Sequence, residues 1–171
     1  MHIDIGHWQV RSLRPNDAYS LARYANNRNV SRNLRDAFPY PYTTLDAQEW
    51  LARALERWPE SNWAIASPDL LIGGIGLTFG SDVHRRSAEI GYWLGEPLWG
   101  RGIATAAVIA VTEYAFAQHD LVRLHAGVFE WNPASARVLE KAGYVFEGRL
   151  RKSVTKDGET IDQLLYARIR E

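Results

Sequence analysis

The sequence contains no cysteine. That absence removes disulfides, thiol nucleophiles, thiolate zinc sites and iron–sulfur clusters together. Neither sign of charge is in excess: 20 Lys plus Arg stand against 20 Asp plus Glu, for a formal net charge of +0. A general nucleic-acid binder carries a basic excess or stripe, so no direct nucleic-acid partner is expected. Long apolar runs are missing too. The longest, Ala106 to Val111, falls far short of the ~18 to 20 residues that a membrane span needs. Met1-His2-Ile3-Asp4 has neither the basic start nor the apolar stretch of a signal peptide. The histidines His2, His7, His84, His119 and His125 show no HExxH or other paired ligand spacing, so no metal is expected. What the chain does have is 171 residues, 46% of them hydrophobic. This is enough to bury a real core. The expectation is one domain over residues 1–171, cytoplasmic and without a membrane partner.

The order of elements follows from periodicity and punctuation. Trp8, Val10 and Leu13 mark a first strand, and Pro15-Asn16-Asp17 opens a helix toward Asn26, with Asn16 or Asp17 as its cap. Residues 33–42, aromatic and broken by Pro39 and Pro41, read as an ordered loop. Thr43 with Asp46 forms a box-like start for a helix through Trp58. Trp63 to Ala66 and Leu70 to Phe79 read as a hairpin around Ser67-Pro68-Asp69. Ala88, Ile90, Tyr92 and Leu94 alternate with Ser87, Glu89, Gly91 and Trp93 in the period-2 pattern of a strand. The Ala-rich run Ile103 to Gln118 is a buried helix. Val122 to Phe129 is a strand, Asn132-Pro133 opens a helix that Gly143 closes, and Tyr144–Leu150 with Thr160–Ile169 makes a last hairpin. The order β-α-α-β-β-β-α-β-α-β-β is that of an α/β mixed sheet with helices on both faces.

Three stretches carry chemistry. Trp99-Gly100-Arg101-Gly102-Ile103-Ala104-Thr105 lies between a strand and a long helix. Small residues there let an anion approach the first helical amides, which lack carbonyl partners and sit at the positive end of the helix dipole. Arg101 adds a full charge, so the turn suits a phosphate; the plainer alternative is two glycines shaping a turn. Neither GxxxxGK[ST] nor GxGxxG opening a helix is present. Gly73-Gly74-Ile75-Gly76 lies inside an apolar strand and reads as a bulge or a smooth wall beside a ligand. Asn132-Pro133-Ala134-Ser135 is on its own a capped helix start.

Taken in order, and with the strand Ala88 to Leu94 before them, these stretches resemble the GNAT superfamily of acetyl-CoA-dependent N-acetyltransferases. The likeness is to the branch with ribosomal-protein N-terminal (alanine and serine) and spermidine acetyltransferases, and it spans nearly the whole chain. It implies a mostly antiparallel, splayed seven-stranded sheet flanked by about four helices. It implies acetyl-CoA as donor, a primary amine as acceptor and no metal. Gly100, Arg101, Gly102, Ile103, Ala104 and Thr105 match the turn that holds the coenzyme A pyrophosphate. Trp93 and Leu94 match the splayed-strand positions that pair with the pantetheine arm. Asn132 matches the asparagine bonded to pantetheine, and Ser135 the residue near the thioester sulfur. Two positions depart from the pattern: Leu139 stands where many members place a tyrosine acid, and Trp99 where Gln or Arg often begins the phosphate motif.

The expected reaction is direct attack of the amine on the thioester, since no cysteine relay or nucleophile elbow exists. A backbone amide near Trp93 would polarise the carbonyl. Glu89, on the strand leading to the thioester, is the candidate base, or else an ion-paired strand carboxylate. Ser135 is the candidate donor to the departing thiolate. Asp36 is a second base or an anchor for the acceptor ammonium, or a turn aspartate. Tyr42, with Tyr40, Trp58 and Trp93, lines an acceptor pocket or anchors the loop. The expected acceptor is a peptide or protein N-terminal α-amine. The alternatives are a small amine such as a polyamine or aminoglycoside, and a non-catalytic acyl-CoA sensor. The chain is expected as a monomer or a homodimer.

Overall fold

The computed structural model describes residues 1–171. Along the chain run β1 (His2–Ile5), β2 (Trp8–Ser12), α1 (Ala18–Ala25), α2 (Arg28–Ser31) and α3 (Thr44–Leu55). Next come β3 (Asn62–Ala66), β4 (Leu71–Phe79), β5 (Ser87–Leu94), α4 (Ile103–Gln118) and β6 (Arg123–Phe129). The chain ends in α5 (Pro133–Lys141), β7 (Val145–Lys156) and β8 (Glu159–Ile169). The strands form one open sheet in the order β1-β2-β3-β4-β5-β6-β8-β7. Every neighbouring pair is antiparallel except β5 with β6.

The mixed, mostly antiparallel architecture is the expected one, with eight strands in place of seven. The added strand, β1, has only four residues and no apolar run; it pairs with β2 through a turn at Gly6. The fifth helix, α2, is a single turn whose first amides are served by the Asn27 side chain, which accepts from Asn29 N at 2.8 Å. β7 runs on past Leu150 to Lys156 because a register shift between Leu150 and Val154 absorbs the polar residues there. Asp17 does not cap α1 with its side chain. Its carboxylate accepts instead from Arg14 N at 2.8 Å and from both terminal nitrogens of buried Arg11. The Thr43–Asp46 box does form, reciprocally, but α3 stops at Leu55.

The period-2 pattern of β3 sorts two cores onto opposite faces of the sheet. Trp63 and Ile65 join α4, α5 and the inner faces of β4, β5, β6 and β8 in the larger core. Ala64 and Ala66 face the other way, under α1 and α3. Helical cover on this second face is confined to β2–β4; the core there contains nothing from β6, β7 or β8.

The sheet opens in the middle. β5 and β6 pair only through Ser87↔Arg123, Ala88↔Leu124 and Glu89↔His125, then part. The glycine run of β4 serves this opening in two ways. Ile65 pairs with Gly73 and Ala66 with Leu71, a bulge that leaves Ile72 unopposed. At Gly74 a Cβ would stand 2.7 Å from the Trp93 indole nitrogen, so only glycine lets that ring lie against β4.

Candidate active site

A cleft of about 780 Å³ runs through the opening. One wall is the start of α4. Gly100 and Gly102 both take φ +76, left-handed backbone that favours glycine, with nothing within 4 Å of where a Cβ would be. The N–H groups of Gly102, Ile103, Ala104 and Thr105 donate to no acceptor in the chain; the first amide of this turn that does is Ala106 N, to Gly102 O at 3.0 Å. Four adjacent donors at the positive end of a helix of 16 residues make an anion cradle. Arg101 lies beside it, bonded only to Pro97 O. Trp99 contributes a tie: its indole N–H donates to Leu94 O at 2.7 Å, fixing the turn to the end of β5.

The second wall is the freed half of β5. Gly95 N donates to Ile72 O at 2.8 Å, and Leu94 stands opposite Gly73. Bonded and non-bonded pairs alternate along an antiparallel ladder. Trp93 therefore exchanges its backbone bonds with Gly74, while Tyr92 and Leu94 turn theirs toward the gap left by β6. Leu94 fits its expected place by backbone. Trp93 presents its side chain, packed edge-on against Phe38 at 5.4 Å, with Tyr42 tilted on Phe38 at 4.9 Å.

The third wall is the start of α5. The Asn132 side chain accepts from Ser135 N at 3.4 Å, holding the helix open toward the cleft. Ser135 Oγ lies 2.7 Å from the Tyr92 hydroxyl, which is also 3.2 Å from Ser135 O. Tyr92 is the residue the sequence reading missed. Its alternation with Ile90 and Leu94 placed it in a strand and no more, whereas its hydroxyl reaches the cleft. Burial raises its pKa, partly offset by the Ser135 bond, so it stays a protonated donor. Leu139 is fully buried among core side chains and has no access to the cleft.

On the opposite face of the sheet lies Glu89, the only carboxylate lining the cleft. Arg35 Nη2 donates to both of its oxygens, at 2.8 and 2.9 Å. Tyr42 lines the same space; burial pushes its hydroxyl up to about 12, with Asp46 adding to the rise. Asp36 sits apart, bound to Lys156 Nζ at 2.9 Å in a small neighbouring pocket that also takes Tyr40. Trp58 is 91% exposed and outside the cleft. Arg137 and Lys141 on α5, Arg53 in the last turn of α3 and Arg57 just past that helix also line it. Arg137 and Lys141 share a face of α5 by their i, i+4 spacing, but only the fold says that this face, and the chain leaving α3, look inward.

The donor end suits coenzyme A. It offers a row of unpaired amides, three cations in Arg101, Arg137 and Lys141, and backbone groups of β5 free to pair with an extended amide-bearing arm. No group of three or more His, Cys, Asp or Glu is placed to hold a metal ion, and no helix is long and apolar enough to cross a membrane.

Comparison with known proteins bears on the same site. The family model for the acetyltransferase (GNAT) domain matches residues 8–145. Among curated proteins, the chain is 37% identical over 166 residues to "Probable N-acetyltransferase YjcK" of Bacillus subtilis, covering 92% of this chain and 91% of that one. It is 33% identical over 105 residues to the ribosomal-protein-serine acetyltransferase of Escherichia coli, covering 61% and 60%. Among solved structures, Mycobacterium smegmatis RimJ in complex with CoA-disulfide superposes with a TM-score of 0.83 at 26% identity, over 96% of this chain and 83% of that one. The chain belongs to the GNAT acetyltransferase family and is an acetyl-CoA-dependent acyltransferase.

Proposed function

We propose that the whole chain, residues 1–171, acts as one domain that acetylates the α-amino group of a peptide or protein N-terminus. The observation that carries this is the scarcity of base in the cleft: its one carboxylate, Glu89, is already gripped at both oxygens by Arg35. An α-amine with pKa about 7.8 is roughly one-seventh neutral at pH 7, a handicap of about 1 kcal/mol. A lysine or polyamine nitrogen near 10.4 faces about 4.6 kcal/mol by the same conversion. Weak base assistance matches the first acceptor and not the second. The likeness to a ribosomal-protein-serine acetyltransferase adds ribosomal proteins as an acceptor class. A cytoplasmic site of action, where acetyl-CoA and nascent proteins meet, accords with this.

Acetyl-CoA supplies a thioester carbonyl that a neutral amine attacks directly, forming the C–N bond as the C–S bond breaks. Glu89 takes the ammonium proton, directly or through water, once the acceptor displaces Arg35. The Leu94 or Tyr92 amide, next to Trp93 and turned into the gap, polarises the carbonyl oxygen. Arg101 with the amides of residues 102–105 fixes the pyrophosphate, and Asn132 positions the arm. Ser135 donates its hydroxyl proton in a hydrogen bond to the departing sulfur, while the Tyr92 hydroxyl donates to Ser135 Oγ from behind. A thiol pKa near 8.5 means that the thiolate needs little more than this hydrogen bond at neutral pH, so the apolar Leu139 is tolerated.

The test pairs a serine-initiated peptide bearing an internal lysine with the same peptide blocked at its N-terminus. The expected result is one added acetyl group on the first and none on the second, read by mass spectrometry. Equal labelling of both, or labelling on lysine, overturns the proposal.

A further inference from the structure

A chain with no net charge lines its cleft almost entirely with cations. Six of the seven charged residues there are Arg or Lys, and Glu89 is the exception. They divide by face. Arg101, Arg137 and Lys141 lie with α4 and α5, where the phosphates of the donor account for them. Arg35, Arg53 and Arg57 lie on the other face, with α3 and the 33–42 loop, where no phosphate of the donor is called for. Arg53 is close enough to the Tyr42 hydroxyl to lower its pKa against the effect of burial. Arg53 and Arg57 are exposed, and neither side chain makes a hydrogen bond or an ion pair within the chain. With Glu89 already paired to Arg35, the acceptor end holds two arginines that have no ion-pair partner in the chain.

We infer that the acceptor is acidic: a peptide whose first residue is followed by carboxylate side chains, bound through Arg53 and Arg57. This rests on the α-amine reading above. Arg53 lies in the last turn of α3 and Arg57 two residues past its end, where Arg57 N donates to Ala54 O, and both line the cleft. Alternate side chains of an extended peptide are spaced about 6.6 Å apart on one side, so a peptide with carboxylates at alternate positions offers one to each of these two arginines of the same cleft. Arg35 completes the recognition by exchange. An acceptor carboxylate draws the guanidinium away from Glu89 and frees that carboxylate for the incoming ammonium. Each charge keeps a partner throughout, which a cationic acceptor does not allow. A polyamine would bring further positive charge against Arg53 and Arg57, a like-charge contact that disfavours it.

The experiment uses three peptides that differ only in charge, beginning Ser-Glu-Ala-Glu, Ser-Gln-Ala-Gln and Ser-Lys-Ala-Lys, with spermidine alongside. Expected is a kcat/KM about tenfold higher for the acidic peptide than for the neutral one, with the basic one lowest, and a preference that shrinks at high salt. The double variant R53E/R57E should reverse the order, and R53Q/R57Q should level it. Retained stabilisation by acetyl-CoA shows that both variants are folded. Turnover of all three peptides without charge preference, or with the basic one fastest, overturns the acidic-acceptor inference and leaves the α-amine reading standing. Absence of any peptide product, whatever happens to spermidine, overturns the α-amine reading on which it rests. A preference for the acidic peptide that persists undiminished in R53E/R57E overturns the assignment to these two arginines.

Discussion

Replacing Gly102 with alanine separates two costs that a single measurement confuses. At φ +76 an alanine is strained by ~1–2 kcal/mol. For a chain of this size that is a fall in Tm of about 2–8 °C. No atom lies within 4 Å of the new methyl group, so no steric clash adds to it. Gly6, in the exposed β1–β2 turn, has φ +78 and the same empty surroundings but lies outside the cleft. Gly6→Ala is therefore a matched control with the same strain. The two variants part when acetyl-CoA is added. At a hundred times Kd the ligand stabilises wild type and Gly6→Ala by about 2.7 kcal/mol, or roughly 5–10 °C. In Gly102→Ala the methyl group stands where the pyrophosphate must approach the amides of residues 103–105. A hundredfold loss of affinity leaves about 0.4 kcal/mol of stabilisation at the same concentration. Differential scanning fluorimetry with and without acetyl-CoA reads both effects. Should Gly102→Ala keep the full ligand-induced shift, the donor does not lie on this turn and the site described here is wrong.

Tyr92→Phe and Ser135→Ala should each lower kcat severalfold to tenfold, with KM for acetyl-CoA changed little; an unchanged kcat in both removes this hydroxyl pair from the mechanism. Asp17→Ala strands the buried Arg11 guanidinium, bonded now at 2.7 and 2.9 Å. It should cost about 3–5 kcal/mol in denaturant unfolding, and a loss under about 1 kcal/mol would refute the reading. Burial lowers the pKa of His125, with the Glu89 charge opposing it. The fold thus favours the neutral imidazole, and below the unfolded value near 6.5 the unfolded chain binds the proton more readily. Stability contributed by this residue is present above that pH and is lost as pH falls below it; His125→Asn should flatten the slope, and parallel curves for the two proteins would refute it.

Much of this arrangement was legible in the residues because it rests on local signals. The Thr43–Asp46 box, the Asn132-Pro133 helix start and the Gly100–Gly102 turn are short-range devices, and each formed where it was read. What escaped depends on partners distant in the chain. The Asp17 carboxylate looked like a cap until Arg11, six residues earlier, turned out to bury itself against it. Tyr92 alternates with core residues, and nothing in its own strand says that Ser135 waits 43 residues later. Arg35 lies in a loop whose sequence says nothing of Glu89, 54 residues on. The phase of the β5 ladder, which gives Leu94 and not Trp93 the free amide, is set by its pairing with another strand, β4.

The uneven helical cover of the sheet decides what can enter. α1 and α3 roof the second face over β2–β4, and residues 28–36 bridge from there to the far side of the cleft: Arg28 pairs with Asp157, Asp36 with Lys156, and the Trp131 indole donates to Asn33. The strap that carries Arg35 is thus tied down on both sides of the cleft, so whatever reaches Glu89 meets a guanidinium held on an anchored backbone.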